Sequence, residues 1–268
     1  MISAEQQPIL RLEAGRVSNC QDELAEEEPL EIRVRNRPVS VTMRTGGHDE
    51  ELAAGFLLAE GIIRSDRDIV RIAPCGRNGD GNVVNATLAP MVEVDFDRLT
   101  RHVFASSSCG VCGKATIESV RQQFDSIEPD DLRIDAEILQ TLPDKLRAAQ
   151  AAFDRTGGLH AAGLFDPDGT LLVAREDVGR HNAVDKVLGW AMQAGRLPLR
   201  RQILLVSGRA SFEIMQKALA GRAPVVAAVS APSRLAVDFA RESGQTLVGF
   251  LRRGRMNVYA HPGRLNFS

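Results

Sequence analysis

Cysteine is scarce in this chain: four in 268 residues, Cys20, Cys75, Cys109 and Cys112. They are too few and too unevenly spaced for the disulfide framework of a secreted scaffold. Long apolar runs are missing as well. None approaches the ~18 residues of a membrane span, and the opening Met1-Ile-Ser-Ala-Glu-Gln-Gln-Pro has neither a basic nor an apolar signal region. No excess of either charge is present. A formal net charge of -2 provides no global attraction for nucleic acid or an anionic membrane, so any basic site must be local. There is no internal repeat and no low-complexity tract. These absences predict a cytoplasmic protein with no membrane or nucleic-acid partner. Its 44% hydrophobic and 25% charged residues are those of a globular protein of one large domain or two ordinary ones.

The two paired cysteines stand out against that background. Ser106-Ser107-Ser108-Cys109-Gly110-Val111-Cys112-Gly113 places two thiols three residues apart on a backbone almost without bulk. Serine and glycine resist helix and strand alike, so the stretch reads as a mobile, exposed loop. Behind it, Ile117, Val120 and Phe124 share one face of an expected helix that starts near Lys114. Free amide groups at a helix N-terminus, helped by the Lys114 ammonium, favour thiolate over thiol. In a reducing compartment such a pair is reactive or metal-binding rather than structural. Half of a zinc site would need two further ligands, and only His102 is close in sequence. Cys20 and Cys75 carry no pattern.

Leu30–Val34 and Val39–Met43 alternate as a hairpin around Asn36-Arg37-Pro38. Asp49 is expected to cap a helix with Leu52, Phe56 and Ala59 on one face, closed by Gly61. Ile69–Ala73, Val83–Leu88 and Val92–Phe96 read as short strands, the first two joined by the Asn78-Gly-Asp-Gly81 turn. The Met43–Asp49 corner is polar and glycine-rich, as a turn or the lining of a site would be. An acidic stretch with Pro129 marks a boundary, dividing a small N-terminal α+β domain (1–130) from a second domain (131–268). The second starts with a helix over Ile138–Phe153 kinked at Pro143 and a hairpin around Asp166-Pro-Asp-Gly169. Strands and helices then alternate, with Phe212, Met215 and Leu219 inward on one helix and Leu235 and Phe239 on the next. Continuous apolar strands between helices predict a three-layer α/β domain with partly parallel strands.

In such a sheet ligands bind beyond the C-terminal strand ends, at helix N-termini. Three polar connections fall there: Asp177–Asn182 with His181, Ser207-Gly208-Arg209-Ala210-Ser211, and Ser230–Arg234. A serine before a helix is more often a cap alone, but three such turns at one sheet edge suggest an anion site. Phe250-Leu251-Arg252-Arg253-Gly254-Arg255 gathers three arginines around a glycine, suited to phosphate oxygens or to a solvated turn. His160 reads as a ligand, an acid or base, or a hydrogen-bonded core imidazole. His48 and His102 fit no pattern.

These segments resemble the FdhD/NarQ family. The likeness runs through Glu28–Val34, Glu50–Ile63, Ser107–Lys114, Gly157–Ala162, Arg175–Lys186, Ser207–Glu213, Val229–Ser233, Val248–Arg252 and Asn257–Tyr259. It implies a cytoplasmic homodimer whose second domain resembles the cytidine deaminases. It implies a sulfurtransferase that accepts sulfane sulfur from a cysteine desulfurase as a Cys109 persulfide, assisted by Cys112. The sulfur passes to a molybdenum or tungsten bis(molybdopterin guanine dinucleotide) cofactor, for which GDP is a mimic, and formate dehydrogenase depends on it. Phe250 to Arg255 would bind that cofactor, with Arg253-Gly254 standing where the family pattern has a glycine pair. Its phosphates would also meet Ser207, Gly208, Arg209, His181 and Asn182. No resident metal is implied.

Other classes fit less well. A zinc deaminase needs His-x-Glu ahead of Pro-Cys-x-x-Cys, whereas here the thiols come first and His160-Ala161-Ala162 lacks the glutamate. A dithiol oxidoreductase would place its Cys-x-x-Cys after a strand, not in a serine-rich loop. A cofactor chaperone that carries no sulfur is the strongest rival.

Overall fold

The computed structural model describes residues 4–75, 81–96 and 124–267. The Cys109–Cys112 loop, the helix expected behind it up to residue 123, and most of the Asn78–Gly81 turn lie outside the described residues.

The chain begins with a ribbon absent from the sequence expectations, β1 (Ala4–Glu13) paired antiparallel with β2 (Arg16–Ala25). Its alternation is weak, and Leu10, Leu12 and Val17 are exposed. The expected hairpin forms from β3 (Glu28–Val34) and β4 (Arg37–Arg44). Its turn is Arg35-Asn36, both at positive φ (50° and 65°), the two-residue geometry that matches strand twist. Pro38 therefore lies inside β4, at a register shift on an edge strand, where its missing N–H costs no ladder bond. α1 spans Asp49–Ala59. Asp49 does not cap it: His48 occupies the cap position with φ 60°, and the Asp49 carboxylate instead receives Arg44 through two bonds of 3.0 Å. β5 (Ile69–Pro74) and β6 (Val83–Leu88) complete a four-stranded sheet ordered β4-β3-β6-β5. Val92–Phe96 is not a strand. It folds into local turns, and Arg35 Nη2 takes the carbonyls of Ala89 and Val92 at 3.1 and 2.8 Å.

After the short β7 (Ile134–Asp135), α2 (Ala136–Ala148) continues through Pro143. The break falls later, at Gln150. There the Glu176 carboxylate accepts the first amides of α3 (Ala151–Thr156), Ala152 N at 3.0 Å and Phe153 N at 2.7 Å. Then follow β8 (His160–Phe165), β9 (Leu171–Asp177), α4 (Arg180–Gln193), β10 (Ile203–Val206), α5 (Phe212–Ala220), β11 (Val225–Ala228), α6 (Arg234–Ser243), β12 (Thr246–Arg252) and β13 (Arg255–Ala260). The terminal β14 (Leu265–Asn266) pairs with β7. β13-β12-β11-β10-β8-β9 form one six-stranded sheet, parallel only across β10, β11 and β12.

Strand alternation divides the core. Ile203, Leu205, Val225, Ala227, Val248 and Leu251 face Leu139, Leu142 and Leu146 of α2. Leu204, Val206, Val226, Ala228 and Leu247 belong to the larger core with α4, α5 and α6, so the sheet is the middle of three layers. In α6 Phe239 points in, its ring edge-on to Phe212 with centroids 4.9 Å apart. Leu235, expected inward, is 44% exposed. The larger core continues through α1 into Leu30, Ile32, Val34, Val84 and Ala86 of the first sheet. α1 crosses α4 at two glycines. A β-carbon on Gly55 would lie 1.9 Å from the Asp185 carbonyl oxygen, and one on Gly189 the same distance from that of Glu51.

Glu51 also reaches Arg175 through two bonds of 2.6 and 2.8 Å. Burial opposes its charge, but Arg175 and His48 outweigh it and hold the carboxyl below its ordinary 4.5. A carboxyl whose folded pKa is depressed stabilises above its unfolded pKa, and that stability is lost as pH falls through the folded value. Glu51→Gln is therefore expected to be less stable than the wild type at pH 7, with the gap narrowing progressively below pH 4.5. Urea unfolding at a series of pH values measures it.

Candidate functional site

Antiparallel pairing of β8 with β10 and β9 brings several chain segments to one edge. His160 lies opposite Asp177, and Ala162 opposite Val206. The start of β8, the end of β9 and the ends of β10, β11 and β12 thus lie together, as the strand-helix alternation predicts. The connections there are bonded to one another. Ser207 N donates to the Ala161 carbonyl and Ala161 N to Ser207 Oγ, both at 2.9 Å. Ser233 N donates to the Ala210 carbonyl at 3.0 Å, and Phe250 N to that of Ser230 at 3.1 Å.

Two of the serines are caps. Ser211 Oγ accepts from Ile214 N at the start of α5, and Ser233 Oγ from Ala236 N at the start of α6. α4 is different: Gly179 is its cap residue, with no side-chain cap and no acidic residue in its first turn. His181 Nε2 lies 3.2 Å from Ser211 Oγ and 3.3 Å from Glu213 Oε2, which ties the start of α4 to that of α5. Deeper between these helices Lys217 Nζ contacts both Asp185 oxygens at 2.9 and 2.8 Å. Burial pushes the Asp185 carboxyl up to about 7 against the pull of Lys217. Burial also disfavours the Lys217 charge, yet Asp185, Glu213 and Glu60 hold that ammonium above its ordinary range. The two short contacts decide for an ionised pair.

A second buried network fastens the Met43–Asp49 corner to this edge. Asp177 and Lys186, both with fully buried side chains, meet at 2.7 Å. Asp177 also accepts from Thr45 N (3.3 Å) and Gly179 N (2.7 Å), while Lys186 donates to the Thr45 carbonyl at 2.9 Å. Asn182 Nδ2 donates to Asp177 at 3.0 Å and to the Met43 carbonyl at 2.8 Å, and its Oδ1 accepts from Thr42 at 3.2 Å. Its side chain is thus spent inside the protein. The sequence marks the corner as polar but does not show that Lys186, in the run Ala183–Leu188, is its partner. A lysine on a helix turn with Val184, Val187 and Leu188 around it is the signal that points to it.

The sequence-predicted residues separate into two groups. Ser207 and Gly208, with Arg209 next in the chain, lie beside the start of β8: a β-carbon on Gly208 would lie 3.4 Å from His160 Nδ1 and 3.7 Å from Arg180 Cδ, while His181 turns to Ser211 and Glu213. The arginine stretch is the hairpin turn between β12 and β13, with Gly254 at φ 75°. Arg252, Arg253 and Arg255 are exposed there, Phe250 is half-buried at positive φ, and Leu251 is wholly buried against α2. The Ser230–Ser233 connection touches both groups. Beside His160 a cavity of about 550 Å³ opens between α2, α3 and the sheet edge, walled by Leu146, Phe153, Leu159, Ser207 and Val229. Arg180, which the sequence places beside His181 in the Asp177–Asn182 connection, is half-buried there.

The chain is 53% identical over 268 residues to the sulfur carrier protein FdhD of Streptomyces coelicolor, covering 97% of this chain and 95% of that one. It is 51% identical over 267 residues to the protein of the same name from Mycobacterium tuberculosis, covering 96% of each. A crystal structure from Desulfotalea psychrophila, of a protein assigned as a formate dehydrogenase accessory protein, superposes with a TM-score of 0.78 at 25% identity. That match covers 98% of this chain and 99% of that one. The FdhD/NarQ family model matches residues 25–266, nearly the whole described fold, and the chain belongs to that family.

Proposed function

We infer that this protein is a persulfide-carrying sulfurtransferase serving formate dehydrogenase. The carrying observation is the match over nearly the full length to relatives named sulfur carrier proteins, in a chain whose paired cysteines are Cys109 and Cys112. The Cys109 thiolate attacks the terminal sulfur of a cysteine desulfurase persulfide. A sulfur-sulfur bond forms on Cys109, and the desulfurase cysteine leaves as a thiolate, with no net oxidation. Attack by the Cys112 thiolate on the inner sulfur then frees the outer one as hydrosulfide, a ligand for the metal. The Cys109–Cys112 disulfide left behind requires a thiol reductant before the next turn.

The recipient in this reading is a molybdenum or tungsten bis(molybdopterin guanine dinucleotide), bound as substrate. Residues 131–268 act as a cytidine deaminase-like unit whose ligand edge accepts guanine dinucleotide phosphates. The anion-suited edge supports this: the uncapped start of α4, Arg209, and the Arg252–Arg255 turn. The working form is a cytoplasmic homodimer.

Incubation with a cysteine desulfurase and cysteine should add the mass of one sulfur atom, and Cys109→Ala should abolish the gain. In cells the same substitution should eliminate formate dehydrogenase activity while GDP binding by the purified variant persists. Activity that survives Cys109→Ala would instead establish a cofactor chaperone that carries no sulfur.

A further inference from the structure

We propose that His160, Arg180 and Arg209 form a subsite for a diphosphate group, and that the His160 imidazole takes up a proton when the anion binds. The inference rests on the reading of a nucleotide-bearing substrate given above, and it adds His160, Arg180 and a proton to the Arg209 edge of that reading.

Arg180 opens α4, a helix of 14 residues, and its Nε is buried with no hydrogen-bond partner. Its side chain passes the Gly208 backbone on the same side as His160. Arg209 is exposed on the next connection and, like Arg180, enters no ion pair among the described residues. The arginines that hold the scaffold are paired, Arg44 with Asp49, Arg175 with Glu51 and Arg264 with Asp130. Two unpaired guanidinium groups beside an uncapped helix start are arranged for oxygens of a multiply charged anion.

The surroundings of His160 show the same deficit. Burial and then Arg180 and Arg209 hold its imidazole below the ordinary 6.5, while Asp177 alone acts in the other direction. Asp177 is already committed to Lys186. Across the cavity from His160 stand Asp144 and Arg147 of α2, one charge of each sign. A diphosphate between the arginines would offset their share of the field that, together with burial, disfavours the His160 charge, so the proton affinity of the imidazole rises on binding. The cavity of about 550 Å³ beside His160 gives room for the group that carries the phosphates.

Titration calorimetry on the full-length protein with pyrophosphate, GDP and guanosine tests this. Pyrophosphate and GDP should both bind, and guanosine should bind far more weakly. Arg180→Gln and Arg209→Gln should each weaken pyrophosphate roughly tenfold to a hundredfold. Arg209 is exposed, so its variant decides the matter if the Arg180 variant folds poorly. Binding heats measured near pH 6.5 in buffers of different ionisation enthalpy report proton uptake, and the uptake should be smaller in His160→Gln than in wild type. Guanosine binding as tightly as GDP would overturn the proposal. So would pyrophosphate affinity unchanged in both arginine variants but lost in Arg253→Gln, or proton uptake unchanged in His160→Gln. The Cys109 sulfur assay, run on the same variants, separates the failures. Sulfur loading with indifferent arginines sinks only the subsite, and diphosphate binding without sulfur loading sinks only the carrier reading.

Discussion

Gly55→Ala and Gly189→Ala are each expected to destabilise the protein by about 2–4 kcal/mol in urea unfolding, although alanine is the better helix former. The propensity gain is at most ~1 kcal/mol per site. Against it, the new β-carbon would lie 1.9 Å from a backbone carbonyl oxygen of the partner helix, Asp185 in one case and Glu51 in the other. A backbone atom cannot rotate away as a side chain can, so α1 and α4 must separate. Separation loosens Leu52, Leu57, Val184 and Leu188, which are packed on both sides of the crossing. The two glycines serve one contact, so the double variant should lose less than the sum of the singles. Gly46→Ala is the control, since its β-carbon would meet only Arg44 Nη1, at 3.8 Å. Unchanged or raised stability in either helix variant would refute the close crossing.

Lys186→Met should cost about 3–5 kcal/mol. Lys186 and Asp177 have no exposed side-chain surface, and methionine fills a similar volume without the charge. Asp177 would then be an unpaired buried carboxylate, which is the costly outcome; an uncharged pair of the same shape is not. Adding Asp177→Asn to Lys186→Met should therefore recover a large part of the loss, and a double-mutant cycle in urea measures the coupling. A double variant no more stable than Lys186→Met alone would show that the pair's charge is not what holds the Thr45 corner to α4.

Much of this architecture is legible locally. Two-fold alternation finds β3, β4 and the paired strands around Gly169, and apolar runs find β10, β11 and β12, because strand burial on one face or two leaves its period in the residues themselves. The misplacements share a cause. Asp49 is a sound cap in isolation, but Arg44, itself clamped by Glu28 and Asn82, claims its carboxylate. The single helix expected over 138–153 is two, divided at Gln150, because Glu176, from a strand beyond the next turn, binds the amides there.

The sequence by itself determined the alternation of elements, the family, and the candidate residues Cys109, Cys112, Ser207–Arg209 and Phe250–Arg255. Only the tertiary structure decided that Arg180 and His160 meet at the Gly208 backbone, that Asn182 is spent on Asp177 and Met43, and that Lys186 belongs to Asp177. The physical reason is range. Strand and helix periods are set by neighbours a few residues apart, whereas the charge state and free valence of a side chain depend on partners that the chain brings back from distant segments.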